Sequence, residues 1–105
     1  MFGASTGLPE LPANCSALLN TYMRKGKKND MDEVKKLQKF LNDRVGSTLP
    51  ISGFFGPLTD AAVKKFQSDH TEQVLTPWGL NGSTGYVYKT TQRWVNLTHC
   101  ASLDI

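Results

Sequence analysis

The chain has 105 residues, 39% hydrophobic and 20% charged, with a formal net charge of +3. That length holds one domain with a real core and leaves no room for a second, and the composition is ordinary for a globular protein. The positive charge favours an anionic partner only weakly, because the lysines are scattered and surface solubility accounts for them. No apolar run approaches the length of a membrane span.

Residues 1–13 are rich in Gly, Ser, Thr and Pro and read as a flexible lead before a single domain over 14–105. Met1-Phe2-Gly3-Ala4-Ser5 lacks the charged start and apolar block of a signal peptide, so export would imply a trimmed chain. Cys15, Leu18, Leu19, Tyr22 and Met23 form a helical stripe. Asn14 can cap its start, Arg24 and Lys25 suit its negative end, and Gly26 can end it.

Asp30 stands three before Glu33 in a capping-box arrangement. Val34, Leu37, Phe40 and Leu41 make the next stripe, and Gly46 stops it. A further helix starts with Thr59 as N-cap, or alternatively at Gly56-Pro57. With Thr59 as cap, Leu58 and Val63 fall at staple positions, and Ala62, Val63 and Phe66 face inward. Residues 69–81 contain Pro77-Trp78-Gly79, show little periodicity and read as a loop. Thr84-Gly85 opens a final helix with Val87, Thr91, Trp94 and Val95 on one side, Thr91 bonding back to its own helix. Val74-Leu75 and the run Gly85 to Tyr88 are the only candidates for short extended pieces.

The pentapeptide Val34-Lys35-Lys36-Leu37-Gln38 returns 29 residues later as Val63-Lys64-Lys65-Phe66-Gln67. Such repetition suggests two copies of one helical unit. Between them lies Ser52-Gly53-Phe54-Phe55-Gly56-Pro57-Leu58-Thr59. VxxLQxxL, a glycine loop ending FGPxT, and AVxxFQ together resemble the small three-helix peptidoglycan-binding domain. The resemblance runs from Val34 to about Asn96, with a family core over about 30–97. Trp78-Gly79-Leu80 and the segment Gly85 to Thr91 stand where the family has its second glycine-and-threonine segment. Ser52-Gly53 replaces the family's usual Asp-Gly. The expected fold is therefore all-α: a small orthogonal three-helix bundle with an additional N-terminal helix, stapled by a disulfide.

Cys15 and Cys100 are the two cysteines. They are either two buried thiols or one bridge joining the first element to the last, and the bridge is the sharper reading. Closing so long a loop would restrict the unfolded chain by roughly 4–5 kcal/mol in the chain-entropy model. Such bridges persist in oxidising compartments, which points to periplasm, cell wall or medium.

The candidate ligand-binding residues form two groups: Ser52, Gly53, Phe54, Phe55, Gly56, Thr59 and Asp60 at the glycine loop and helix start, and Trp78 and Tyr86, with Tyr88, as a second candidate. Glycines let the loop turn sharply and leave amides open, and the following helix offers free N–H groups to carboxylates and carbonyls of a peptide stem. Phe55 reads as core, whereas Phe54 is balanced between core and ligand. Trp78, Tyr86 and Tyr88 present flat rings suited to the C–H face of a pyranose, with core packing as the plainer reading. Trp94 belongs to the core.

Other chemistry finds little footing. His70, His99, Cys15 and Cys100 fit no zinc-finger spacing. Asp30, Asp32, Glu33, Asp60 and Asp69 sit at caps and polar faces. No catalytic motif occurs, and no cofactor is implied. The sequons at Asn14, Asn81 and Asn96 matter only in a eukaryotic secretory host, whereas the resemblance points to bacteria.

Lys35, Lys36, Lys64 and Lys65 give basic faces, but the helix carrying Ala61 to Gln67 lacks a residue set suited to base edges. No nucleic-acid partner is expected. The resemblance implies a non-catalytic, monomeric module that binds peptidoglycan and anchors an exported protein, with a wall hydrolase fused or associated. The alternative is the same fold serving protein interaction with glycan binding lost.

Overall fold

A computed structural model describes residues 16–80 and 82–100. The expected lead over 1–13, together with Asn14, Cys15 and Asn81, lies outside the described residues. The described part is mostly helical: α1 spans Met31–Val45, α2 Pro57–Asp69, α3 Thr71–Val74 and α4 Lys89–His99, with a 3-10 turn at Thr76–Trp78. Among the described residues there is no strand, only an isolated antiparallel bridge between Met23 and Val87.

Helix α1 begins where the sequence places it. The Asp30 carboxylate accepts from the Glu33 amide at 3.0 Å, and Gly46 closes the far end. The reciprocal half of the capping box does not form. Glu33 Oε1 instead accepts from the amides of Asn20 and Thr21 at 2.6 and 3.1 Å.

That choice bears on the first correction. The helix expected from Cys15 to Met23 is absent over its described part, which is irregular, with bends at Leu18 and Thr21. Its backbone partners come from elsewhere in the chain. The Leu19 amide donates to Asn96 Oδ1 at 2.8 Å, and Asn96 Nδ2 donates to the Leu19 carbonyl at 2.9 Å. Gln92 Nε2 donates to the Thr21 carbonyl at 3.0 Å. Met23 and Val87 exchange amide-to-carbonyl bonds of 3.0 and 2.7 Å. With its polar groups satisfied by α1, α4 and Val87, the segment needs no helix. Leu19 and Met23 still enter the core, so the apolar stripe is real and its period was misleading.

Helix α2 takes the alternative start. Gly56 is its N-cap and Pro57 its first residue, and Thr59 lies buried inside the first turn of the helix. Leu58 is no staple, being 66% exposed. The loop expected over 69–81 contains α3 and the 3-10 turn, which bury Val74 and Leu75. Elements this short carry too few residues to display a period. The last helix starts at Lys89 rather than Thr84, because the residues before it form a turn that mirrors an earlier one.

Val34, Leu37 and Leu41 of α1, Val63 and Phe66 of α2, and Val95 of α4 meet in the core with Leu19, Met23 and Val87. Phe40 and Phe66 pack edge to face, with centroids 5.5 Å apart. Trp94 packs partly buried against this cluster.

The duplication is structural as well as sequential. Gln38 at the end of the first pentapeptide and Gln67 at the end of the second are each 1% exposed. Gln38 Oε1 accepts from the amides of Ser52 and Gly53, both at 3.0 Å, and its Nε2 donates to the Phe54 carbonyl and to Thr59 Oγ1. Gln67 Oε1 accepts from the amides of Thr84 and Gly85 at 3.0 and 2.9 Å, and its Nε2 donates to the Tyr86 carbonyl and to Thr91 Oγ1. Within each turn a hydroxyl accepts the amide two residues on: Ser52 from Phe54, Thr84 from Tyr86. Ser52-Gly53-Phe54 with Thr59 thus recurs as Thr84-Gly85-Tyr86 with Thr91. Thr91, expected to bond within its own helix, receives the Gln67 amide instead.

Candidate binding site

Each glutamine-centred turn borders a cleft, and the two clefts differ in size. The first, about 120 Å³, is lined by Gln38, Pro50, Ser52, Phe54, Pro57 and Leu58 among others. Three of the amides expected to stand open in this turn are taken. Those of Ser52 and Gly53 serve Gln38, and that of Phe54 serves Ser52 Oγ. The Phe54 ring lies against Gly56, so that a Cβ there would meet ring atoms Cδ2 and Cζ at 3.0 and 3.3 Å. It covers the start of α2 and is itself 70% exposed.

Phe55, Thr59 and Asp60 are buried. Thr59 bonds Gln38, and Asp60 pairs with Lys64 at 3.0 Å. These residues build the turn and its supporting helix.

The second cleft has a volume of about 430 Å³. The connection that follows Gln67 is longer than the one that follows Gln38, and it holds α3 and the 3-10 turn. These add a wall that the first unit lacks. Val74, Leu75 and Thr91 are buried at the base, and Tyr22, Trp78, Tyr86 and Tyr88 stand around it. Trp78 is 55% exposed, yet its indole is tethered: Nε1 donates to Thr90 Oγ1 at 2.9 Å. Thr90 Oγ1 in turn donates to the Val74 carbonyl at 2.6 Å. The large ring is thus presented to solvent by a fixed edge rather than hanging free.

A row of rings continues the surface. Tyr22 and Tyr88 have centroids 5.5 Å apart, Tyr88 and Tyr86 5.3 Å, and the Arg24 guanidinium sits 5.5 Å from the Tyr86 centroid. Lys89, the first residue of α4, also lines the cleft.

The two candidates read from the sequence fall at two separate clefts. Ser52, Phe54, Gly56 and Thr59 line the small cleft, while Trp78 and Tyr86 line the large one. Tyr22 and Lys89 were missed. Tyr22 was absorbed into a helical stripe that does not form, and Lys89 lay inside a helix drawn five residues too long. The sequence held no separate signal for Tyr22, an aromatic in step with the apolar stripe; only the fold leaves it exposed between the buried Leu19 and Met23.

His70 stacks between Phe66 and Trp94, with centroids 4.7 and 5.8 Å away. Among the described residues no three of His, Cys, Asp and Glu gather closely enough to hold a metal ion. No described helix is long and apolar enough to cross a membrane. Cys100 is buried, and its expected partner Cys15 lies outside the described residues.

Comparison with curated proteins and with solved structures returns no match. A family model does match, over α1, the first turn, α2 and α3, short of the Asn96 limit read from the sequence. Residues 30–74 carry the pattern of the putative peptidoglycan binding domain, the family that the repeated helical unit resembles.

Proposed function

We propose that the chain is a non-catalytic module that binds peptidoglycan, and that the glycan lies in the aromatic cleft beside the second turn. The observation that carries this reading is the tethered, solvent-facing Trp78 set among tyrosines in a cleft of about 430 Å³. Flat aromatic faces with polar edges suit the C–H face of a pyranose. The family match supports the polymer as ligand, and the geometry favours the second cleft over the smaller first one, where the turn amides of Ser52, Gly53 and Phe54 are already bonded. A module of this kind would work at the cell wall, anchoring an exported protein and partnering a wall hydrolase.

Sedimentation with purified sacculi tests the reading, using an unrelated basic protein of like size as control. Trp78→Ala is expected to weaken retention about tenfold, the scale of one lost aromatic stack of about 1–1.5 kcal/mol. Phe54→Ala is expected to change it less than twofold. Retention no better than the control's would end the proposal. A large loss with Phe54→Ala and none with Trp78→Ala would move the site to the first turn.

A second reading, in which the fold docks a protein, draws on one observation. Met31, Ile51, Phe54 and Leu58 are all exposed near the first turn, at 60%, 47%, 70% and 66%. Amide shifts induced by a muropeptide separate the two. Changes clustered from Thr84 to Thr91 favour the glycan.

The bridge between Cys15 and Cys100 is part of the same proposal. Leu19 and Asn96 are bonded side by side, and each cysteine lies four positions further out along its own segment. Leu18 and His99 line a common cleft in the same region. Titration of the denatured, unreduced protein is expected to find no thiol, and two after reduction. Two thiols before reduction would remove the staple.

A further inference from the structure

We infer, resting on the glycan reading above, that this cleft also reads negative charge: Lys89 and Arg24 select a sugar that bears a free carboxylate on a peptide stem over an uncharged sugar polymer. The argument starts from where the cations have partners. Lys36, Lys64 and Lys65 each pair with a carboxylate on their own helix, at 3.4, 3.0 and 3.2 Å. Helix α4 contains no acidic residue, so Lys89 has no such neighbour. Among the described residues neither Lys89 nor Arg24 forms an ion pair. No Asp or Glu lines the cleft.

The two cations are placed with respect to the aromatic surface. Lys89 lines the cleft itself. Arg24 lies over Tyr86, one of its walls, at 5.5 Å. Tyr86 is linked through Tyr88 to Tyr22 by ring contacts of 5.3 and 5.5 Å. A ligand with one apolar face on Trp78 would carry its substituents past these two positive groups. A carboxylate there gains charge-assisted hydrogen bonds, while a cationic substituent meets only like charge. Both cations are at least partly solvated, so the gain is moderate and falls with salt.

Calorimetric titration with two probes tests this: a disaccharide-tetrapeptide muropeptide with free carboxylates, and uncharged chitotetraose. The unmodified protein is expected to bind the muropeptide about fivefold more tightly at low salt, with the preference shrinking as salt rises. Lys89→Gln should weaken muropeptide binding about threefold, and Arg24→Gln with Lys89→Gln about fivefold, each leaving chitotetraose unchanged. Lys89→Arg should keep most of the preference. Equal affinity for the two probes, or a loss with Lys89→Gln that is the same for both, would overturn the inference and leave the glycan reading standing. No muropeptide binding at all, or binding indifferent to Trp78→Ala, would overturn the glycan reading and this inference with it.

Discussion

Replacing Gln67 with leucine is expected to lower the stability of the domain by about 2–3 kcal/mol. The side chain is 1% exposed and its two polar atoms serve the backbone of a turn far along the chain. Its carbonyl oxygen holds the amides of Thr84 and Gly85, and its amide nitrogen holds the Tyr86 carbonyl and two threonine hydroxyls. Leucine fits the volume and fills none of these roles. A buried backbone group left without a partner costs about 1–3 kcal/mol, and of those affected Gly85 is buried while Thr84 and Tyr86 can recruit water. A domain of this size has only about 5–15 kcal/mol to lose.

Urea denaturation followed by circular dichroism measures the change. The same substitution at Gln38 should cost less, because Ser52 and Phe54 are exposed and Gly53 is half-buried, so water can replace much of what the side chain supplies. A loss below 1 kcal/mol at Gln67 would mean that the turn holds itself together and that the glutamine is incidental. Because Trp78 is fixed through Thr90 and not through Gln67, a variant that stays folded should keep part of its affinity for glycan.

Gly85→Ala is the second large effect, about 3 kcal/mol. Gly85 has φ +78, in the left-handed region where a Cβ costs roughly 1–2 kcal/mol. Its Cβ would also collide with Asp60 Oδ1 and lie 3.1 Å from Asp60 Cγ and 3.3 Å from Lys64 Cε. Relieving that overlap must push apart two side chains of α2 that are paired with each other, a repacking cost of about 1–3 kcal/mol. Gly79 supplies the control. It has φ +68, but nothing lies within 4 Å of a Cβ built there. Gly79→Ala should therefore cost only the conformational part, about 1–2 kcal/mol. Equal losses at the two positions would show that backbone strain alone matters and that the close approach of the turn to α2 does not.

These two residues also show how far the sequence could be read. Val34 and Gln38, like Val63 and Gln67, are four apart and so share a helix face. An amide on an apolar face must find partners, and that argument was available before any coordinates. What could not be read was the identity of those partners, because the turns they bind begin well downstream. The same limit explains α4. Thr84 and Gly85 look like a helix start, and only the waiting Gln67 side chain makes them a turn. It explains the segment from Ser16 to Asp30 too, where a helical stripe of Leu18, Leu19, Tyr22 and Met23 lost to Asn96, Glu33 and Val87.

The candidate site divides in the same way. Trp78 and Tyr86 were visible as aromatic residues in a glycine-rich stretch, and the structure puts them in one cleft. The first turn looked open from its glycines. It is internally bonded because the buried amide of α1 reaches its backbone before any ligand could.

Local order alone was enough to specify α1, the body of α2, their apolar faces, the Asp30 cap and the stop at Gly46, since each depends on residues within a few positions of one another. The duplication was legible for a related reason: two copies of one pattern solve the same burial problem twice. The irregular run before α1, the second turn and the larger cleft were decided only in three dimensions. Their polar groups are satisfied by side chains 12 to 77 residues away, and a linear pattern does not reveal which partner will arrive.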